Sequence, residues 1–196
     1  MNNIELARYF DESGKKCIVT VRDYNSYLAD DDKEAIACFV FNRLYSRYIK
    51  PYKYEKKKFK KEYKNGFSMM ASYCLLIETL QSFKNGWAYS NRRSEQAFKE
   101  FFTNNAHLHE LNNKGSDIYK NIRCGILHQG ETTNGWKITR ESHHLVQGKT
   151  INAFKFGNQL EKCLGDYRTT LNRAEWDSEA WDNLRTKMRK IIEHCA

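Results

Sequence analysis

Apolar residues recur at close to helical spacing through most of this chain. In Asp31–Lys50, Ile36, Phe39, Val40, Leu44 and Ile49 form one stripe, with Arg43, Arg47 and Lys50 towards the polar side. Asp30 or Asp31 is placed to cap that helix, Glu34 adds a capping-box spacing from Asp31, and Pro51 supplies the stop. Phe67–Lys84 is apolar on nearly every face of its middle, which predicts a central, buried helix. Gly66 precedes it, and Asn85-Gly86 can end it in a left-handed cap. Ser94 is placed to cap a helix that turns Phe98, Phe101 and Phe102 inward, and Ala106–Gly115 reads as a loop. Ser116–His128 predicts another helix, capped by Ser116 with Asp117 in its first turn and carrying Ile118, Ile122, Ile126 and Leu127. Phe156–Asn172 and Asp177–His194 are amphipathic. The second packs Trp181, Leu184, Met188, Ile191 and Ile192 inward, with Arg185, Lys187, Arg189 and Lys190 outside.

Extended segments are few. Cys17–Val21 is β-branched and reads as a strand. The spacing also predicts a β-hairpin of Trp136–Arg140 with Lys149–Phe154, joined by the Cys17–Val21 strand. The expected fold is mainly α: a bundle of about five to six helices with a small β-hairpin or short sheet after the helix at 116–128. Residues 1–196 read as one domain, with a core at about 31–172, an N-terminal strand region at 1–30 and a C-terminal helix at 176–195.

Composition refines this picture. A single proline among 196 residues suits helices, and a net charge of +9 attracts polyanions, nucleic acid first and an anionic membrane surface second. No run approaches the roughly 18 apolar residues of a membrane span, and the polar N-terminus does not read as a secretory signal. Cys17, Cys38, Cys74, Cys124, Cys163 and Cys195 form no CxxC pair, and Cys38, Cys74 and Cys124 sit in apolar runs. Reduced, buried thiols in a cytoplasmic protein are expected. Much of the charge lies in Pro51–Lys64, where Lys56, Lys57, Lys58, Lys60 and Lys61 interleave with Tyr52, Tyr54, Phe59 and Tyr63. The run suits a platform for single-stranded nucleic acid, and the plainer alternative is a solvated basic helix face whose aromatics pack inward. Arg92 and Arg93 add to the basic surface. His107 and His109 have metal-ligand spacing but no supporting third ligand, so no metal and no cofactor is expected.

Asn121–Gly130, NIRCGILHQG, carries the chemistry. Arg123 and His128 flank four small or apolar residues. Guanidinium and imidazole can bind a phosphodiester and move protons near neutral pH. Five residues apart is about 140° around an ideal α-helix. The two side chains therefore converge only if the helix end is irregular, if Arg123 reaches along the surface, or if a symmetry mate supplies its own copy. Gly125 permits close approach of another backbone, from a neighbouring helix or a second subunit. Glu78, late in the apolar helix, needs a cationic partner, and Arg123 is the obvious one. Salt bridge and active-site orienter both fit it.

The segment IYKNIRCGILHQGETTNGWKI resembles the HEPN superfamily, helical bundles whose signature is an arginine, four to six residues, then a histidine, here Arg123 and His128. The order of a buried helix with an acidic residue, the motif helix and NGW opening an extended segment extends the resemblance over about 31–172. It implies a HEPN-like bundle and a metal-independent endoribonuclease that works as a homodimer, in which two motif helices build one composite site. Arg123 would hold the phosphate, His128 would act as general base or acid, and Glu78 would orient Arg123. A toxin or antiviral effector, with an antitoxin or regulatory protein as a further partner, is the implied setting. A non-catalytic HEPN-like module that binds RNA or protein is the alternative. Two positions depart from the family pattern. Cys124 stands where active members often have Asn, Asp or His. Gly130 stands where toxins paired with a nucleotidyltransferase often have Tyr, so nucleotidylation at that site is not supported.

Overall fold

A computed structural model describes residues 3–11, 13–53, 62 and 64–195. The chain is mainly helical, and it divides into two compact units: residues 1–47, 82–89 and 164–196, and residues 48–81 and 90–163.

The first unit opens with β1 (Glu5–Phe10) and β2 (Lys16–Thr20), paired antiparallel. The Cys17–Val21 strand thus exists, but its partner is the preceding segment and not the later sheet. Local closure explains this, since Gly14 turns the chain at φ 81° and Asp11 accepts from the Ser13 and Lys15 amides. Directly after β2 comes α1 (Val21–Ala29), a helix the apolar pattern did not announce. Thr20 starts it with a capping box: its hydroxyl accepts from the Asp23 amide, and the Asp23 carboxylate accepts from the Thr20 amide at 2.8 Å. These bonds, the backbone one first, hold the Asp23 carboxyl below its ordinary value.

α2 (Lys33–Tyr48) is the predicted helix, but its cap is Asp32, whose carboxylate takes the Ala35 amide at 2.9 Å. Asp31 cannot serve, because it sits left-handed at φ 49°. Ile36, Phe39, Val40 and Leu44 are buried. The end of α3 (Gly66–Lys84) closes through Gly86 at φ 61°, as the Asn-Gly pair implies. The later part of α6 (Ala153–Arg173) is followed by α7 (Glu179–Cys195). Trp181 is fully buried and donates its indole N–H to the Leu171 carbonyl at 3.0 Å. Lys187, expected outside, folds its ammonium onto the Ala88 carbonyl at 3.1 Å, and burial lowers its pKa. Ile191 and Ile192 are half-buried.

In the second unit, the part of α3 up to Gln81 buries Met69, Met70, Tyr73, Cys74, Leu76, Ile77 and Leu80. α4 (Ser94–Asn104) buries Phe98, Phe101 and Phe102, as its pattern requires. Its cap is the Arg93 backbone without a side-chain bond, so Ser94 does other work. Residues Ala106–Lys114 form two short 3-10 turns joined by a kink at Leu108 where a loop was expected, with Leu108 and Leu111 fully buried. α5 (Gly115–Ile118) opens the motif helix one residue early, and Ser116 lies within its first turn.

Beyond that helix, β3 (Lys137–Thr139), β4 (Val146–Gln147) and β5 (Thr150–Asn152) form a sheet in the order β3-β5-β4. The expected hairpin between the first and last of these is a parallel pair instead. The hairpin is β4 with β5, because Gly148 at φ 57° folds Gln147 back against Thr150 in a two-residue turn. Among the described residues no helix is long and apolar enough to cross a membrane. Of the six thiols, only Cys74 and Cys163 are buried, and Cys195 is exposed.

Two glycines of α6 make opposite predictions. A Cβ at Gly157 would lie 2.5 Å from the Tyr73 ring, whereas one at Gly165 meets nothing within 4 Å. Alanine gains about 1 kcal/mol of helix propensity at either place, and overpacking costs about 1–3 kcal/mol. In urea unfolding, Gly165→Ala should stabilise the protein by about 0.5–1 kcal/mol, and Gly157→Ala should destabilise it by about 1–2 kcal/mol.

Candidate functional site

After α5 the motif helix widens. Tyr119–Arg123 and Gly125–Gln129 are π-helical, and the Cys124 amide donates to the Tyr119 carbonyl five residues back. The helix ends at Gly130, left-handed at φ 69°, whose amide reaches the Gly125 and Ile126 carbonyls. The following loop accounts for the register. The Thr133 amide donates to the Asn121 carbonyl at 2.9 Å, and the Thr133 hydroxyl to the Asn121 side chain at 3.0 Å. A straight α-helix would give that carbonyl to the Gly125 amide. The Glu131 amide meanwhile bonds the Gly125 carbonyl at 3.3 Å.

Gly125 is required by this same loop. A Cβ there would lie 2.5 Å from the Glu131 carbonyl oxygen. Another backbone does approach Gly125, and it is the chain's own next segment.

The π register removes the geometric obstacle. Bonding from i to i+5 stacks residues five apart on one face, and such segments concentrate at functional sites. Arg123 and His128 are five residues apart, so this winding brings them closer around the axis than an α-helix would. His128 and its neighbours Leu127 and Gln129 are exposed.

Arg123 is held in place. Its Nε donates to Glu78 Oε1 at 2.7 Å and its Nη2 to Oε2 at 3.5 Å, with the two side chains 17% and 8% exposed. Burial lowers the Arg123 pKa, and the Glu78 hydrogen bond and charge outweigh it, so the guanidinium is held above its ordinary value. Glu78 also accepts from the Ser94 hydroxyl at 2.9 Å and the Ser90 hydroxyl at 3.4 Å. A buried carboxylate is thus answered by one cation and two hydroxyls. The Tyr119 ring lies 5.7 Å from the Arg123 guanidinium and itself packs on Phe98. Burial, and after it the bond to the Cys124 thiol, pushes the Tyr119 hydroxyl up. Burial does the same to Cys74, with Glu78 and Cys124 adding to it.

The pairing of Arg123 with Glu78 is the one the sequence suggests. Tyr119, Ser90 and Ser94 are additions. Only the four-residue spacing of the two serines hinted at their role, and Ser94 reads more naturally as a cap. Arg92 and Arg93 are exposed just before Ser94, with Arg92 left-handed at φ 60°. Lys56, Lys57, Lys58, Lys60 and Lys61 lie outside the described residues. His109 places Nδ1 3.1 Å from the Ala106 carbonyl, and among the described residues no group of three or more His, Cys, Asp or Glu side chains is arranged to hold a metal.

No protein-family model, no curated protein and no solved structure matches this chain. The reading of the site therefore rests on its own residues.

Two measurements probe this geometry. A double-mutant cycle of Glu78→Gln and Arg123→Gln should give a coupling of about 1–3 kcal/mol in unfolding free energy, as expected for a mostly buried pair. A coupling near zero would separate the two residues energetically. Gly125→Ala should push the Glu131–Thr133 loop away, so that the Thr133 amide exchanges its hydrogen about tenfold faster or more.

Proposed function

We propose that this protein is a metal-independent endoribonuclease of HEPN type, acting as a homodimer in which two motif helices complete one site. The observation that carries this reading is the motif arginine, anchored by Glu78 on a π-wound helix whose winding narrows the angle between Arg123 and His128. The RNA 2′-oxygen attacks the adjacent phosphorus while the bond to the 5′-oxygen breaks. The products are a 2′,3′-cyclic phosphate and a 5′-hydroxyl. His128 takes the proton from the nucleophile or gives one to the leaving oxygen, and a second copy in the dimer fills the other role. Arg123 stabilises the charge that builds on the phosphate oxygens. Glu78 is a positioning residue, touching the guanidinium and not the substrate.

Support for the dimer shifts from Gly125 to its neighbours. The space over Gly125 is filled by the Glu131 carbonyl, whereas Leu127, beside His128, is 41% exposed on the motif helix, and Leu75 on α3 is equally exposed. An exposed leucine beside His128 is what the homodimer reading would cover. A toxin or antiviral effector is the setting that the HEPN resemblance implies.

A second reading has its own support. Glu78 already neutralises Arg123, and Cys124 occupies the place where active HEPN members often carry Asn, Asp or His. Both suit a non-catalytic module that binds RNA or a protein through its basic surface.

Structured RNA incubated with the purified protein in EDTA separates the two. The wild type should produce cyclic-phosphate ends and leave DNA intact. Arg123→Ala and His128→Ala, each confirmed as folded by circular dichroism, should each lower cleavage by about 10²–10⁴-fold. Binding without cleavage at every ratio of protein to RNA overturns the enzyme.

A further inference from the structure

A cleft of about 730 Å³ in the second unit contains none of the residues assigned to cleavage. Its size falls in the range of small-molecule sites. One wall is a stripe of α6. Lys155, Asn158, Gln159 and Lys162 follow one another at intervals of three, one and three residues, so all face the same way, and the two lysines stand two turns apart. His143 and His144, both exposed, also line the cleft, together with the buried Leu145.

The charges in the cleft are unevenly satisfied. Lys53 is ion-paired with Glu161 and also donates to the Asn158 side-chain oxygen at 2.9 Å, so that acid and base cancel. Among the described residues the side chains of Lys155, Lys162, His143 and Gln159 make no hydrogen bond or ion pair, and Glu110 is the remaining carboxylate, exposed at the rim. Two unpaired ammonium groups with amide donors between them favour an anion. Flat imidazoles in the same cleft favour a planar ring, since histidine is among the side chains on which bases stack.

We infer that this cleft binds a nucleotide unit, with its phosphate held by Lys155 and Lys162 and its base against His143 and His144. The nucleotide could be free or part of an RNA strand, and the phosphate and base chemistry is common to both. The inference is independent of the cleavage mechanism, because neither Arg123 nor His128 contributes to the cleft.

Calorimetry in phosphate-free buffer tests it. The probes are adenosine 5′-monophosphate, adenosine, and a short 2′-O-methyl oligoribonucleotide that lacks the nucleophile for transesterification. At least one phosphate-bearing probe should bind, and adenosine should bind far more weakly. The Lys155→Ala/Lys162→Ala variant should weaken binding about tenfold or more, as loss of two charge-assisted contacts implies. Binding of the mononucleotide marks a free-nucleotide site, and binding of the oligonucleotide alone marks a tract for RNA. Failure of both phosphate-bearing probes to bind, or equal affinity of the lysine variant, overturns the inference. Because no probe is cleaved, the outcome does not depend on whether the protein is a nuclease.

Discussion

A carboxylate near the end of an apolar helix has to be answered from outside that helix. Glu78 sits in α3 with Cys74, Ile77 and Leu80 fully buried around it in sequence. Leaving it ionised and alone would cost far more than a domain of this size has in reserve. Its partners come from two other elements, Arg123 from the motif helix and Ser94 from the start of α4, with Ser90 just ahead of it. One buried charge therefore fixes where three helices meet. Ser94 is the first residue of α4 and not its cap, and its hydroxyl donates to that carboxylate.

That constraint acts on a helix already wound loosely. The loop Glu131–Thr133 claims the Asn121 and Gly125 carbonyls, and the helix answers by bonding five residues back. The same loop lies where any side chain larger than hydrogen at position 125 would be. Arg123 is then gripped by Glu78 on one side and rests on the Tyr119 ring, and the π winding narrows the angle between the arginine and His128. A wound helix and a buried ion pair together turn a linear motif into a local constellation.

The long-period features were legible in the sequence. The stripes of Ile36, Phe39, Val40 and Leu44, of Phe98, Phe101 and Phe102, and of Trp181, Leu184 and Met188 are buried as their spacing demands. The partner of Glu78 was legible too, because a buried acid leaves few choices. What escaped are features set by single hydrogen bonds. α1 is only nine residues long and rests on one Thr20–Asp23 box, and the true cap of α2 is the third aspartate in a row of three. The parallel pairing of β3 with β5 depends on where Gly148 turns, which strand-forming residues alone do not specify. The π register is written in no local propensity. It is imposed by a loop that comes after the helix, so a window on the helix alone treats Arg123 and His128 as 140° apart, about what an α-helix would give.

An arginine so well paired is not thereby spent. A guanidinium has five N–H donors in a planar fork, and Glu78 engages two of them. The desolvation of Arg123 is thus offset within the protein before any substrate arrives, and the planar group is aimed in advance of use. A lysine could not reproduce this, since its ammonium is a compact point charge that one carboxylate would largely occupy. A phosphate meeting Arg123 would find a cation that needs little reorganisation, and preorganised donors of this kind are what stabilise developing negative charge. The salt bridge and the proposed catalytic role therefore reinforce each other: the structural pair is what makes the arginine usable.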